Sequence, residues 1–294
     1  LTDRLYLSLA LVAGLGYVVA VLGLKQAIRA GLGPWRLTVA NSWIVALCYS
    51  PLFLLPGGDW AEIRWYQPLV VAVLLLTGNV LLLLALNRGD VSVATPILGT
   101  KVIFVAFLTV VVLGETVPLK WWIAAGLATA GIALLRTDES GGRRNLLATV
   151  VYSVGSAVLF ALTDILIQKW VTPATFTRFV PVMCWMIALL SLGFVPFFRE
   201  SLLAIPKPVW GYLGWGSCVL AGQSLLVMFI LSRYGHATAV NIMYSTRGIW
   251  SVVLVWVFGR WIATQEERAA DHQTMALRLV GASVLLVAVI LVMI

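Results

Sequence analysis

The sequence predicts an all-α integral membrane protein: ten transmembrane helices set out as two inverted five-helix repeats. Three observations lead there. The 294 residues are 61% hydrophobic and only 11% charged, under half of the ~25% charged share of a soluble domain, and mean hydropathy is +1.00. So few polar side chains cannot cover a soluble protein of this length, and a bilayer is the surroundings such a surface needs. The apolar residues also fall in runs near the ~20 residues that cross a hydrocarbon core. Finally, the most polar internal stretch, RTDESGGRRN over Arg136–Asn145, lies near the middle of the chain and reads as a linker.

Taken in order, the runs are Leu5–Ile28, Leu37–Leu55, Leu69–Leu86, Val91–Leu113 and Leu119–Leu135, then Leu146–Gln168, Phe176–Phe197, Val209–Leu231, Ala237–Phe258 and Ala276–Met293. The first is too long for a cleavable signal peptide and lacks a small-residue exit. Gly33-Pro34, Pro56-Gly57-Gly58, Pro118, Pro173 and Pro206–Pro208 fall between runs, where proline and glycine stop or start helices. Asn87–Asp90 and Arg233–His236 are short polar breaks and imply tight helical hairpins.

A central linker prompts a search for internal repetition. NRGDVSVATPILGTKVIF (Asn87–Phe104) aligns with RYGHATAVNIMYSTRGIW (Arg233–Trp250) at a constant offset, 247 − 101 = 146. Gly89 then meets Gly235, Ser92 meets Thr238, Thr100 meets Thr246, Lys101 meets Arg247 and Phe104 meets Trp250. Gly126 meets Gly281 only after an insertion of about nine residues in the second half. The division is a first repeat over 1–136, a linker over 137–145 and a second repeat over 146–294. An odd number of helices per repeat puts the second half into the membrane upside down. Inverted repeats are a transporter architecture, with the substrate near the midplane between the halves.

The Thr–cation pairs carry the candidate chemistry. Lys101 falls about 15 Å into its run at 1.5 Å per residue, near the bilayer centre, and its stem of ~6 Å does not easily reach either surface. Arg247 takes the matching position. Each central cation costs about 2.5–3.5 kcal/mol to insert, which calls for a reason. One reading is a water-accessible cavity that binds an anionic group. The other is a fixed ion pair with Asp164, or a neutral lysine. Acids are scarce in these runs, and Asp164 cannot neutralise both cations. Thr100, Thr246, Tyr244 and Asn241 neighbour the cations, and Asn79 and Gln223 occupy nearly equivalent places in the two halves. Each of the last two could bind substrate or join helices by hydrogen bonds. Tyr17, Tyr152, Trp43 and Trp185 could wall a cavity but suit packing better. Glu115 ends a helix at the interface, and Glu266, Glu267, Arg268, Asp271 and His272 read as a solvated loop.

Other classes find little support. Cys48, Cys184 and Cys218 sit in apolar runs with no C-x-x-C pair and read as small core residues. His236 and His272 are far apart, so a metal site is not expected. The net charge of +8 comes from basic residues scattered singly between apolar runs, a pattern of membrane flanks rather than of nucleic-acid binding. There is no G-x-x-x-x-G-K-[ST] loop for direct ATP drive, and neither H-E-x-x-H nor G-x-S-x-G is present. The expectation is no enzyme, no cofactor and no metal.

The stretch TPILGTKVIFVAFLTVVVLGETVPLKWWIAAGLATAGIALL (Thr95–Leu135) resembles the EamA-type signature of the drug/metabolite transporter superfamily. Pro96, Gly114-Glu115, Trp122 and Ala130-Gly131 carry the likeness, and Glu266 or Glu267 would answer Glu115 in the second half. The resemblance implies ten helices in two halves over essentially the whole chain. It implies a multi-pass protein of the cell (inner or plasma) membrane, monomer or homodimer, that works by alternating access. In the organophosphate and nucleotide-sugar branches the fourth and ninth helices line the cavity, and basic residues there hold phosphate. The implied solute is a small polar metabolite bearing phosphate or carboxylate, driven by exchange, a proton gradient or its own gradient. A flippase for a phosphate-bearing lipid is the near alternative, and a non-transporting receptor or assembly partner is the alternative of another class. Orientation is left between two arguments. Lys25, Arg29, Arg36, Arg88, Arg136, Arg143, Arg144, Arg199, Lys207, Arg260, Arg268 and Arg278 gather on one side of alternate connections, twelve against the six of Arg4, Arg64, Lys120, Lys169, Arg178 and Arg233, and the positive-inside rule makes that side cytoplasmic, with both termini outside. The resemblance instead implies both termini inside.

Overall fold

Every regular element among the described residues is helical. The computed structural model describes residues 5–88, 94, 97–135, 146–198, 200–251, 253–254 and 272–294. The linker 137–145, Pro96 and the acidic and basic residues Glu266, Glu267, Arg268 and Asp271 lie outside them. In chain order the helices are α1 (Leu5–Arg29), α2 (Pro34–Tyr49), α3 (Tyr66–Arg88), α4 (Lys101–Leu108), α5 (Leu119–Leu135), α6 (Leu146–Trp170), α7 (Phe176–Ser191), α8 (Lys207–Tyr234), α9 (Ala237–Tyr244) and α10 (His272–Met293). Among the described residues, six apolar helical stretches are long enough to cross a membrane: Tyr6–Arg29, Pro34–Leu54, Tyr66–Leu86, Leu147–Trp170, Phe176–Phe197 and Lys207–Tyr234. Ile97–Leu113, Leu119–Leu134 and Val280–Met293 are shorter apolar helices.

The punctuation acts as the sequence predicts. Pro34 opens α2 behind an extended Gly33 (φ −64°, ψ 152°), since a proline at the first helical position gives up no helix hydrogen bond. The run that follows Lys101 ends in a π-helical turn at Thr109–Leu113, closed by Gly114 at φ 69°, a conformation glycine adopts without strain. Between α8 and α9 only Gly235 (φ 70°) and His236 (φ 54°) intervene, at the short polar break read from the sequence; the break at Asn87–Asp90 runs beyond the described residues.

The chain divides into two compact units that do not follow the sequence halves. Unit 1 is Leu1–Leu15, Thr77–Ile165 and His236–Ile294, and unit 2 is Gly16–Leu76 and Leu166–Gly235. In unit 1, α5 lies along α10, and α4 packs on both α5 and α9. The approach of α5 to α10 is close: a Cβ on Gly131 would stand 2.8 Å from Leu285 Cγ and 2.9 Å from the Gly281 carbonyl oxygen. Fully buried Ala124, Ala125 and Ala128 lie one and two turns before it in α5. Small residues of this kind let membrane helices touch backbone to backbone. Ser156 of α6 donates to the Gly78 carbonyl of α3 at 2.9 Å.

In unit 2, α2 packs against α7 and α8. Tyr49, 1% exposed, donates its hydroxyl to the Ala221 carbonyl at 2.8 Å. Trp185 Nε1 donates to Ser50 Oγ at 3.1 Å and meets the Trp43 ring edge-on, 5.7 Å between centroids. At one end Arg36 pairs with Glu200 at 3.0 Å. At the other the Arg178 guanidinium lies 5.3 Å over the Trp60 ring, which stacks on Trp65 at 6.1 Å. Aromatic and cationic ledges of this type sit at headgroup level. The cysteine expectation needs correcting. Cys184 is buried, but Cys48 and Cys218 are exposed. An apolar run does not tell core from lipid face, because acyl chains are as apolar as leucine.

Candidate functional site

The two Thr–cation pairs fold alike. Thr100 Oγ1 donates to the Ile97 carbonyl at 2.6 Å, and its backbone N–H bonds the same oxygen at 3.0 Å. Thr246 Oγ1 donates to the Met243 carbonyl at 2.7 Å, and its N–H bonds that oxygen at 3.2 Å. Donors and acceptors both keep the offset, 246 − 100 = 146 and 243 − 97 = 146. Each threonine therefore closes a tight i→i−3 turn that interrupts its helix, and the cation is the next residue along. An interruption of this kind inside a membrane run is tolerated where protein or a water-filled cavity surrounds it. It also marks functional positions in helices.

Lys101 does have an acid beside it. Lys101 Nζ lies 2.7 Å from Asp164 Oδ2, with side chains 17% and 13% exposed. Asn241 Nδ2 donates to that same Oδ2 at 2.8 Å and to the Ala237 carbonyl at 3.1 Å. Three helices thus deliver one cluster: Lys101 from α4, Asp164 from α6 and Asn241 from α9. The expected shortage of acids fails for Lys101. Of the two readings the sequence left open, the ion pair with Asp164 is the one the packing makes for Lys101. Charge-assisted bonds onto a shared carboxylate oxygen are short and strong in such surroundings.

Arg247 occupies the second cluster. Its guanidinium carbon stands 5.1 Å over the Tyr244 ring, a cation–π contact between residues one turn apart. Thr246 is 5% exposed. Asn241, Tyr244 and Arg247 recur every third residue, so α9 and the turn after it link the two clusters along one face. A residue the sequence did not single out closes on this turn. A Cβ on Gly14 of α1 would stand 3.3 Å from Thr246 Oγ1 and from the Tyr244 carbonyl oxygen, and 3.4 Å from the Arg247 nitrogen. Its only sequence signal is a glycine in the middle of an apolar helix.

The remaining predicted residues are spread out. Asn79 is exposed on α3 in unit 1, and Gln223 is buried on α8 in unit 2, packed where Gly16 has no side chain. On α2 the buried Asn41 amide oxygen and the Trp43 indole N–H lack hydrogen-bond partners among the described residues. Buried polar groups are nearly always satisfied, so α2 carries unspent polar capacity beside the Trp43–Trp185 pair. Glu115 is exposed just after the α4 π turn, in keeping with a helix end.

Comparison with known proteins adds the following. The EamA-like transporter family matches residues 4–137. Solved structures match as well; one, described only as the crystal structure of a protein, superposes with a TM-score of 0.71 at 15% identity, covering 95% of this chain and 98% of its own. That likeness is one of fold. No curated protein matches.

Proposed function

We propose that the protein is a secondary transporter moving a small phosphate- or carboxylate-bearing metabolite across the cell membrane by alternating access, a reading supported by the match of residues 4–137 to the EamA-like transporter family. The observation that carries the reading is the repeated broken turn, Ile97–Lys101 and Met243–Arg247, each ending in a cation within an apolar run. Two ten-helix features support it. Helices at equivalent places in the two sequence halves pack on one another, α2 on α7 within unit 2, and α4 on α9 and α5 on α10 within unit 1. The Thr bonds keep one offset through donor and acceptor. Both are what two inverted five-helix repeats, 1–136 and 146–294, produce.

The mechanism follows from the chemistry of the two cations. Arg247 grips an anionic oxygen pair with parallel hydrogen bonds, while Lys101 offers a point charge. Asp164 is the resting counter-ion of Lys101. An arriving phosphate or carboxylate takes its place, so the buried lysine is never left uncompensated. Asn241 holds the displaced carboxylate in place. Exchange of conformations between inverted repeats turns an outward-open state into an inward-open one.

A thermal-shift screen of the purified protein tests this. The arms are phosphorylated, carboxylated, amine and lipid-headgroup compounds. Stabilisation by soluble phosphates or carboxylates, lost in Arg247→Ala, supports the metabolite reading. Stabilisation by lipid headgroups alone supports a flippase instead. Ligand binding without flux in proteoliposomes supports a receptor.

A further inference from the structure

Cys48 on α2 and Cys218 on α8 have their sulfur atoms 3.6 Å apart. Both are exposed, and both belong to unit 2. We propose that these two thiols form a redox-sensitive staple, an intramolecular disulfide that ties α2 to α8 when the bilayer is under oxidative stress.

The register of the two helices supports the bond. Tyr49, next to Cys48, donates its hydroxyl to the carbonyl of Ala221, one turn after Cys218, at 2.8 Å. The same hydroxyl meets Ser224 Oγ at 2.8 Å. This buried anchor fixes the helices against each other beside the sulfur pair. The sulfurs then have to close from 3.6 Å to the ~2.05 Å of a disulfide. Packing gives no reason for thiols here, since an exposed position on a lipid-facing helix accepts any apolar side chain.

The surroundings name the oxidant. Pro34–Leu54 and Lys207–Tyr234 are long and apolar enough to cross a membrane, which sets the exposed pair against acyl chains, and the co-reactant is a bilayer-soluble organic hydroperoxide. One thiol sulfur attacks the terminal peroxide oxygen. The O–O bond breaks, the alkoxide leaves with the thiol proton as an alcohol, and a sulfenic acid remains. The second sulfur attacks the sulfenic sulfur, the S–S bond forms, and water leaves with the remaining proton. The hydroperoxide is reduced by two electrons and the two thiols are oxidised by two. Cys184 is 3% exposed and serves as the internal control.

The test uses the whole protein in proteoliposomes exposed to cumene hydroperoxide. After denaturation, free thiols are counted by maleimide–polyethylene-glycol gel shift, and peptides are mapped by mass spectrometry. The expected result is a fall from three labels to one, a linked peptide containing Cys48 and Cys218, and full recovery with dithiothreitol. Cys48→Ser and Cys218→Ser each retain the fold and give no linked peptide. Three labels persisting in the wild type, a link through Cys184, or a link between two chains on a non-reducing gel would overturn the proposal.

Discussion

Replacing Asp164 by leucine strips Lys101 of its counter-ion and Asn241 of its acceptor. Both members of the pair are largely buried, 17% and 13% exposed, so solvent screens the loss little. Taking one partner from a buried ion pair costs about 3–5 kcal/mol, whereas replacing both by apolar groups of similar volume is close to neutral. Asp164→Leu is therefore expected to fall in that range. Asp164→Asn costs less, because it keeps a carbonyl oxygen for Asn241. The Lys101→Met/Asp164→Leu double variant regains most of the loss, leaving it within about 1–2 kcal/mol of the wild type once the orphaned Asn241 donor is counted. Equilibrium unfolding in mixed micelles of the wild type, Asp164→Leu, Lys101→Met and the double variant forms a double-mutant cycle. Each single substitution costs about 3–5 kcal/mol and the double about 1–2, so a coupling energy of at least about 4 kcal/mol is expected. Additive losses in the cycle, or an Asp164→Leu variant as stable as the wild type, would refute the argument that the pair is a desolvated unit.

Three other outcomes follow from the packing. Gly131→Val places a side chain within 2.9 Å of the Gly281 carbonyl oxygen, and overpacking of this kind costs about 1–3 kcal/mol, seen as a lowered melting temperature with α5 and α10 loosened. Gly14→Leu crowds Thr246, Tyr244 and Arg247, so the ligand-induced thermal shift should vanish while the variant still inserts; an unchanged shift would separate α1 from the site. For orientation, the positive-inside rule places the linker in the cytoplasm, so Gly141→Cys in intact cells should resist a membrane-impermeant maleimide, and labelling from outside would favour the orientation the family implies.

Much of this architecture is legible in the sequence because the bilayer imposes it. Run lengths and Gly/Pro breaks located α1 to within a residue at either end, and α5 and α7 begin where their runs begin. The 146-residue offset matched the two Thr–cation pairs, and the hydrogen bonds to Ile97 and Met243 keep it; that each threonine closes a turn was not legible. What the sequence hides is pairing between distant helices. Asn241 and Asp164 are 77 residues apart, and no periodicity encodes which helix faces which. The scarcity of acids therefore left an anion-binding cavity and an ion pair with Asp164 both open, and packing brings the one acid of α6 onto Lys101. Likewise Cys48 and Cys218 read as core, because a lipid-facing residue and a buried one are drawn from the same apolar alphabet. Interleaving of the two halves into units that mix them follows from α2–α7 and α5–α10 packing, which lies beyond any local signal.

If Arg247 at the second broken turn holds the anionic group of the solute, counterflow in proteoliposomes depends on it. The labelled solute is the anionic compound that gives the largest thermal shift, and wild type, Arg247→Ala and Arg247→Lys are compared at matched protein density. Loss of a charged hydrogen bond of about 2–3 kcal/mol lowers affinity roughly 30- to 150-fold. Arg247→Ala should thus insert normally and show no flux at working concentrations. Arg247→Lys should recover little, because lysine lacks the two-pronged geometry. Counterflow by Arg247→Ala at the wild-type rate would contradict the central claim.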